Sequence, residues 1–272
     1  MNYIPPKLAM ISNLTGYGRC SLAVAIPVVS ALKVQACPVP TGLYSNHLAF
    51  PTWSHLDLTD NMQDYLEGFA KLNLTFDGIY YGFPGNEKQI AVTEAFFQSQ
   101  PGAKILLDPA MGDHGKMYSS LTGAHCQGLK RLMKYAHIVT PNVTEACFLT
   151  GETYSEEGWN EERLGIIAEK LHALGPSNVV ITGVREKDCY MNFVSENSKG
   201  QILTSPIKGK PYHGTGDLFA AVMAADMLRD VPLETSVKKA SAFVGACIEV
   251  SELAGASEKD GVLFENCLSM LM

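Results

Sequence analysis

Two glycines two residues apart, Gly214 and Gly216, close a polar loop, and Asp217 then leads a mostly apolar run over 218–228. A loop that feeds a helix start in this way gathers unpaired backbone N–H groups at the positive end of the helix dipole, which makes a place for an anion. Thr215 and Asp217 stand where side chains of the first turn point at the same spot. A carboxylate beside an anion hole is costly unless it takes a proton in the chemistry. The other reading is that Thr215 or Asp217 only caps the helix. Asn142 and Glu145 put an amide and a carboxylate at i and i+3 on one face of a helix's first turn. That pair suits a hard cation held partly through water, and it equally suits an N-cap with an acid that complements the dipole. Asp108 ends the apolar run 105–107 and precedes a proline, which places a carboxylate at a strand's C-terminal end.

Other patterns carry less. Gly16-Tyr17-Gly18 follows an apolar run, but Ser21 stands at the third glycine of a dinucleotide fingerprint and the segment 34–40 ends without an acid for a ribose. No Gly-x-x-x-x-Gly-Lys-Ser/Thr and no Gly-x-Ser-x-Gly occurs. The histidines lack metal-ligand spacing, and His125, His137 and His172 read as surface or core-edge residues. Phe83 and Tyr44 are able to stack on a flat ring, or simply to pack.

The elements that must position these groups alternate. Strands are expected at 8–12, 34–40, 77–81, 104–107, 137–139 and 179–181, with a hairpin at 189–194 and 201–204. Helices are expected at about 20–33, 60–72, 87–98, 123–134, 142–149, 161–174, 216–229 and 233–250, and loops at 12–18 and 112–116. Segment 41–59 mixes turn residues with aromatics and reads as a flap. This alternation predicts an α/β fold: one doubly wound, mostly parallel sheet with helices on both faces. Ligands in such folds bind beyond the C-terminal strand ends, where Ser12, Gly82-Phe83, Asp108, Asn142, Thr182-Gly183 and the loop before Asp217 all fall.

Composition bounds the rest. With 272 residues, 46% hydrophobic and 18% charged, the chain can fill a large core, and a single domain over 1–272 is expected. A net charge of −7 argues against nucleic-acid and anionic-membrane partners. Seven scattered cysteines without a Cys-x-x-Cys pair read as reduced thiols. The proline-bearing start does not read as a signal peptide, and apolar stretches such as 22–29 are too short to span a bilayer. A cytoplasmic protein is the expectation.

Taken together, these pieces resemble the ribokinase-like superfamily and, within it, the pyridoxal kinases. The strongest match is Gly214-Thr215-Gly216-Asp217-Leu218-Phe219-Ala220-Ala221. In order around it fall Ser12, Tyr44-Ser45-Asn46-His47, Gly82-Phe83, Asp108-Pro109-Ala110-Met111-Gly112-Asp113, Met117-Tyr118, Thr140 to Glu145, and Val180-Ile181-Thr182. The resemblance spans about residues 8–250. It implies ATP-dependent phosphorylation of a hydroxymethyl group on pyridoxal, pyridoxine or pyridoxamine. Asp217 would be the base, and the N–H groups of Gly214, Thr215 and Gly216 would hold the γ-phosphate. Asp108, Glu145 and Asn142 would place Mg2+, mostly through waters. Ser12, Asn46, His47 and Phe83 would surround the substrate ring, with Tyr118, Thr182 and Gly183 near the nucleotide. The resemblance also implies a homodimer through the flap edge. This sequence departs from that pattern at Leu48, where a threonine is common, and in a short segment at 114–116. Hydroxymethylpyrimidine kinases share the fold and the Asp217 signature, and a non-catalytic vitamer or nucleotide sensor would keep the same pocket.

Overall fold

The computed structural model describes residues 4–83 and 85–272, so Met1 to Tyr3 and Pro84 lie outside it. β1 (Lys7–Tyr17), β2 (Gln35–Asn46), β4 (Gly78–Tyr81), β5 (Lys104–Leu107), β8 (Ile138–Val139) and β9 (Asn178–Glu186) form the parallel part of a nine-stranded sheet. β3 (His55–Asp57) pairs antiparallel with β2 at one edge. β10 (Cys189–Glu196) and β11 (Lys199–Pro206) complete the other, giving the order β11-β10-β9-β8-β5-β4-β1-β2-β3. A separate two-stranded ribbon joins β6 (Gly112–Asp113) to β7 (Lys116–Met117).

The sheet divides the core in two. One face packs against α2 (Thr59–Lys71), α3 (Glu87–Ser99), α4 (Gly123–Leu132), α5 (Val143–Thr150) and α6 (Glu161–His172). The other packs against α1 (Leu22–Ala31), α7 (Thr215–Leu228), α8 (Leu233–Leu253) and the C-terminal tail. Every residue of α7 from Leu218 to Met227 is buried, as expected for a helix that is apolar around its whole circumference and sits between sheet and helices. Asp226, the exception to its apolar run, is held inside by Lys239 at 2.8 Å, Arg229 at 3.4 Å and the Ser236 hydroxyl at 3.0 Å. A buried charge with such partners is tolerated where an isolated one is not.

Four sequence expectations change. The loop expected at 12–18 is strand: β1 continues to Tyr17 beside β2, with one register shift between Ser12 and Leu14. Gly16 permits that pairing, since a Cβ there would stand 3.1 Å from the Ser45 carbonyl oxygen. The two extended strands, with β3, build the flap expected near 41–59. The loop expected at 112–116 is the β6–β7 ribbon, turned by His114 and Gly115 with φ of 48° and 73°. The strand expected at 179–181 runs from Asn178 to Glu186, because the hairpin partner β10 extends its ladder. Finally, residues 258–271, to which no element was assigned, form short 3-10 turns whose Val262, Phe264, Cys267 and Leu271 seal the α1/α8 side.

Among the described residues, no helix is long and apolar enough to cross a membrane.

Candidate active site

Strand register builds the floor. Met10, Tyr80, Leu106 and Ile138 lie side by side across four parallel strands and share the α1/α7/α8 core. Side chains alternate faces along a strand, so two residues further on Ser12, Gly82, Asp108 and Thr140 occupy the same face, at the C-terminal strand ends. α7 lies on that face, and its first turn brings Asp217 to the row.

The start of α7 is open. Gly214 occupies the N-cap position in the left-handed region at φ 79°, and no side chain caps the helix. The Thr215 hydroxyl instead donates to the Tyr212 carbonyl at 3.2 Å. By helix geometry, the N–H groups of the first turn have no intrahelical acceptor. A Cβ on Gly214 would overlap the Arg19 carbonyl oxygen, whereas one on Gly216 would meet nothing within 4 Å. Gly214 is therefore needed for close packing of backbone on backbone, and Gly216 faces open space. Among the described residues, the reading in which Thr215 or Asp217 merely caps the helix does not hold.

Three carboxylates influence one another here. Burial, then the charge of Asp217, push Asp108 up to about 8, against a hydrogen bond from the Thr140 hydroxyl at 3.1 Å. Burial raises Asp217 to about 6, and the Ser21 N–H opposes it. Burial and the Asp108 charge hold Glu145 well above the usual carboxylate range, although backbone N–H groups of Asn142, Met111 and Gly112 donate to it. Glu145 Oε2 accepts from Asn142 N at 2.8 Å and Oε1 from Met111 N at 3.0 Å, while Asn142 Oδ1 accepts from Glu145 N at 2.9 Å. Both readings of the 142–145 spacing are thus compatible: a reciprocal capping box, made by a carboxylate that also faces Asp108.

An all-oxygen donor set with surplus negative charge fits a hard divalent cation such as magnesium. Both Glu145 oxygens already accept backbone N–H groups, so its contact with an ion would run through water. Among the described residues, no group of three His, Cys, Asp or Glu side chains converges on a metal position.

The remaining expected residues are dispersed around this centre. Tyr118 is partly exposed just after β7, donating its N–H to the Met111 carbonyl at 3.0 Å, and desolvation followed by the charges of Glu145, Asp113, Asp217 and Asp108 raises its phenol. Thr182 bridges Asn142 in parallel and donates its N–H to the Pro141 carbonyl at 2.9 Å, with Gly183 following at φ 73°. Ser12 is fully buried, and its Oγ accepts the Phe83 N–H at 3.2 Å. Phe83 is half-buried against the α2/α3 core, not the α7 core.

The flap residues are engaged with the protein itself. Asn46 accepts from the Ser45 hydroxyl at 2.6 Å and donates to the Thr52 carbonyl at 2.8 Å. His47 Nδ1 accepts from Ala49 N at 3.3 Å, which leaves Nε2 to donate to the Lys259 carbonyl, and the ring packs 4.7 Å from that of His213. In this arrangement the polar side-chain atoms of both flap residues already have partners within the protein. Tyr44 likewise stacks on His55 at 5.3 Å.

Sequence reasoning missed Ser21 and the segment 258–265, and it named Thr140 only as the start of the 140–145 motif, without a role. The 258–265 segment ties Tyr17, Arg19 and His47 together through Asp260, Glu265 and the Lys259 carbonyl. Its charged residues gave no periodic signal.

Comparison with known proteins gives this geometry a family. Residues 28–261 match the phosphomethylpyrimidine kinase family. The pyridoxal kinase of Arabidopsis thaliana is 30% identical over 80% of this chain and 72% of its own length. A protein of Bacteroides thetaiotaomicron, described as a candidate phosphomethylpyrimidine kinase and crystallised with pyridoxal, is 31% identical, with a TM-score of 0.94 over 98% of this chain and 96% of its own. The chain belongs to the pyridoxal kinases of the ribokinase-like superfamily. A pyridoxine/pyridoxal/pyridoxamine kinase of Bordetella avium, 27% identical over 89% of this chain and 84% of its length, agrees. As a pyridoxal kinase the chain is a phosphotransferase.

Proposed function

We propose that this pyridoxal kinase transfers the γ-phosphoryl group of ATP to the hydroxymethyl oxygen of pyridoxal, pyridoxine or pyridoxamine, with Asp217 taking the proton. The observation that carries this reading is a half-buried carboxylate, raised to about 6, in the uncapped first turn of α7. At neutral pH such a group is mostly ionised yet basic enough to accept a proton as the oxygen attacks. The N–H groups of Gly214, Thr215 and Gly216, with the helix dipole, stabilise charge that spreads over the transferred phosphoryl oxygens. Asp108 faces the reacting end, and Glu145 and Asn142 hold the loop that carries Met111 and Gly112 against it. Magnesium, when bound at Asp108 and through water at Glu145, would offset the charge of the nucleotide phosphates. Ser12 and Phe83 meet the substrate ring, Tyr118 covers the phosphates, and Thr182 and Gly183 border the nucleotide. Asn46 and His47 hold the flap in the described arrangement and reach the ring only by exchanging those bonds.

A coupled assay of ADP release across pyridoxal, pyridoxine, pyridoxamine and hydroxymethylpyrimidine tests the reading. Release is expected with at least one pyridine vitamer, and release with none of them would overturn it. Two observations favour hydroxymethylpyrimidine as a second acceptor: the family match, and an apolar Leu48 beside the flap histidine. Preference for that alcohol in the same assay would replace the first reading.

The carboxylate cluster predicts a pH dependence of stability. Asp108 and Asp217 are raised from 3.8 to about 8 and about 6 in the folded protein. Between those limits the folded state holds protons that the unfolded chain has released, so these groups increasingly destabilise the fold as pH rises. Relative to an Asp108→Asn variant, the metal-free protein should lose melting temperature from about pH 4 to about pH 8. Magnesium should restore more of that loss at the upper end, where protons no longer compete with it. A difference that grows in the opposite direction, with no magnesium effect, would remove the paired-carboxylate reading.

A second copy of this chain is proposed to cover the flap. Leu14, Leu43 and Leu56 are register partners across β1, β2 and β3, and they are 37%, 40% and 58% exposed, with Tyr17 and Trp53 also exposed. A row of this kind on an edge strand is an interaction surface by its chemistry. Leu43→Glu should shift the mass in light scattering from dimer to monomer.

A further inference from the structure

Tyr80 carries a polar atom that neither the fold nor the proposed chemistry uses. Its side chain is wholly buried in the α1/α7 core, and its hydroxyl has no hydrogen-bond partner among the described residues. A buried phenol normally finds one. The hydroxyl reaches one step up the strand: a Cβ on Gly82 would stand 3.1 Å from it and 2.9 Å from Ser12 Oγ. The two hydroxyls therefore both close on the Gly82 Cα, where a side chain would displace them. Ser12 Oγ already accepts the Phe83 N–H, so its own O–H remains available as a donor. Burial, then the charges of Asp108 and Asp217, hold the Tyr80 phenol well above its usual range, so it too stays a donor and lies toward the reacting end. Tyr81 is an internal contrast: its hydroxyl is also unpaired, but it points into the opposite core beside Phe97.

We propose that Tyr80 is a specificity-determining residue: with Ser12, it presents two O–H donors to one lone-pair-bearing atom on the ring edge of the acceptor substrate. The inference rests on the reading of this face as the acceptor site. It also explains why a hydroxyl is retained where phenylalanine would pack equally well, since an unpaired buried donor destabilises the protein until a ligand satisfies it. A site built to hydrogen-bond a substrate atom discriminates strongly against analogues that lack it.

The test is an absorbance titration with pyridoxal, and with analogues each lacking one ring-edge acceptor, in an Asp217→Asn background where no turnover intrudes. Tyr80→Phe is expected to weaken pyridoxal binding about three- to tenfold, the size of one hydrogen bond, and to leave ATP binding unchanged. It should also raise the melting temperature by about 2 °C or more, because the unpaired group is gone. Gly82→Ala, whose methyl would push on both hydroxyls, should weaken pyridoxal binding in the same direction. Tyr81→Phe should raise the melting temperature without changing binding. One analogue should bind Tyr80→Phe and the parent equally, and this identifies the atom received. Pyridoxal binding by Tyr80→Phe that matches Tyr81→Phe, or a panel in which no analogue abolishes the difference, would overturn the proposal. Turnover by Asp217→Asn is read separately, so a wrong base assignment leaves this binding test standing.

Discussion

Asp217→Asn is expected to lower kcat by about a hundred- to ten-thousandfold, the usual contribution of a general base, while the protein stays folded and binds ATP. The substitution keeps the size and the polar edge of the side chain but removes the proton acceptor. It also removes a half-buried negative charge that raises Asp108, so it should not lower the melting temperature and is expected to increase it. Loss of turnover with gained stability separates a residue kept for chemistry from one kept for folding. Steady-state ADP release and a thermal melt on the same preparation measure both. Near-normal kcat would take the base role away from Asp217.

Gly214→Ala is expected to be the most damaging single-methyl change at the site, and Gly216→Ala, two residues away, among the mildest for the fold. Gly214 holds φ 79°, where a Cβ costs about 1–2 kcal/mol in itself. That Cβ also overlaps the Arg19 carbonyl oxygen, part of a backbone segment that cannot swing aside freely. Arg19 donates its N–H to the Asp260 carbonyl at 3.2 Å, and its guanidinium pairs with Glu265 at 2.8 Å. The loop between β1 and α1 would have to move, taking with it the Ser21 N–H that supports Asp217. A fall in melting temperature and a loss of at least a hundredfold in kcat/KM are expected together. For Gly216→Ala the methyl enters open space where the phosphate is proposed to lie. Here the melt should be unchanged and KM for ATP should rise. Equal effects of the two alanines in both measurements would contradict the proposed division of labour between these glycines.

Much of this was legible from residue order. β5 was expected at its observed bounds, and α3 and α7 within one residue of them, because apolar period and glycine or asparagine punctuation agree there. The glycine-bearing entry to α7, with Asp217 in the first turn, was readable for the same reason. The misread segments have a common cause. Residues 12–17 carry glycines that signal a turn locally, yet β2 runs alongside and supplies hydrogen-bond partners that no local window contains. The tail, likewise, has no strong period, and its apolar residues gain meaning only once α1 and α8 offer a groove. Within the site, Tyr80 looked like ordinary core. Only the register between β1 and β4, with a missing side chain at Gly82, brings its hydroxyl beside Ser12.

By itself the sequence determined the alternation of strands and helices, the crevice at the strand ends, and a glycine-lined helix start bearing an acid, because these depend on residues near one another in the chain. Only the tertiary structure decided that the charge of Asp217 raises Asp108 and that of Asp108 raises Glu145, that Asn46 and His47 are tied to the flap and its neighbours, and that a phenol under the floor has no partner among the described residues. Charge repulsion, desolvation and hydrogen-bond satisfaction depend on distances between residues remote in sequence, and those distances exist only once the sheet has fixed its register.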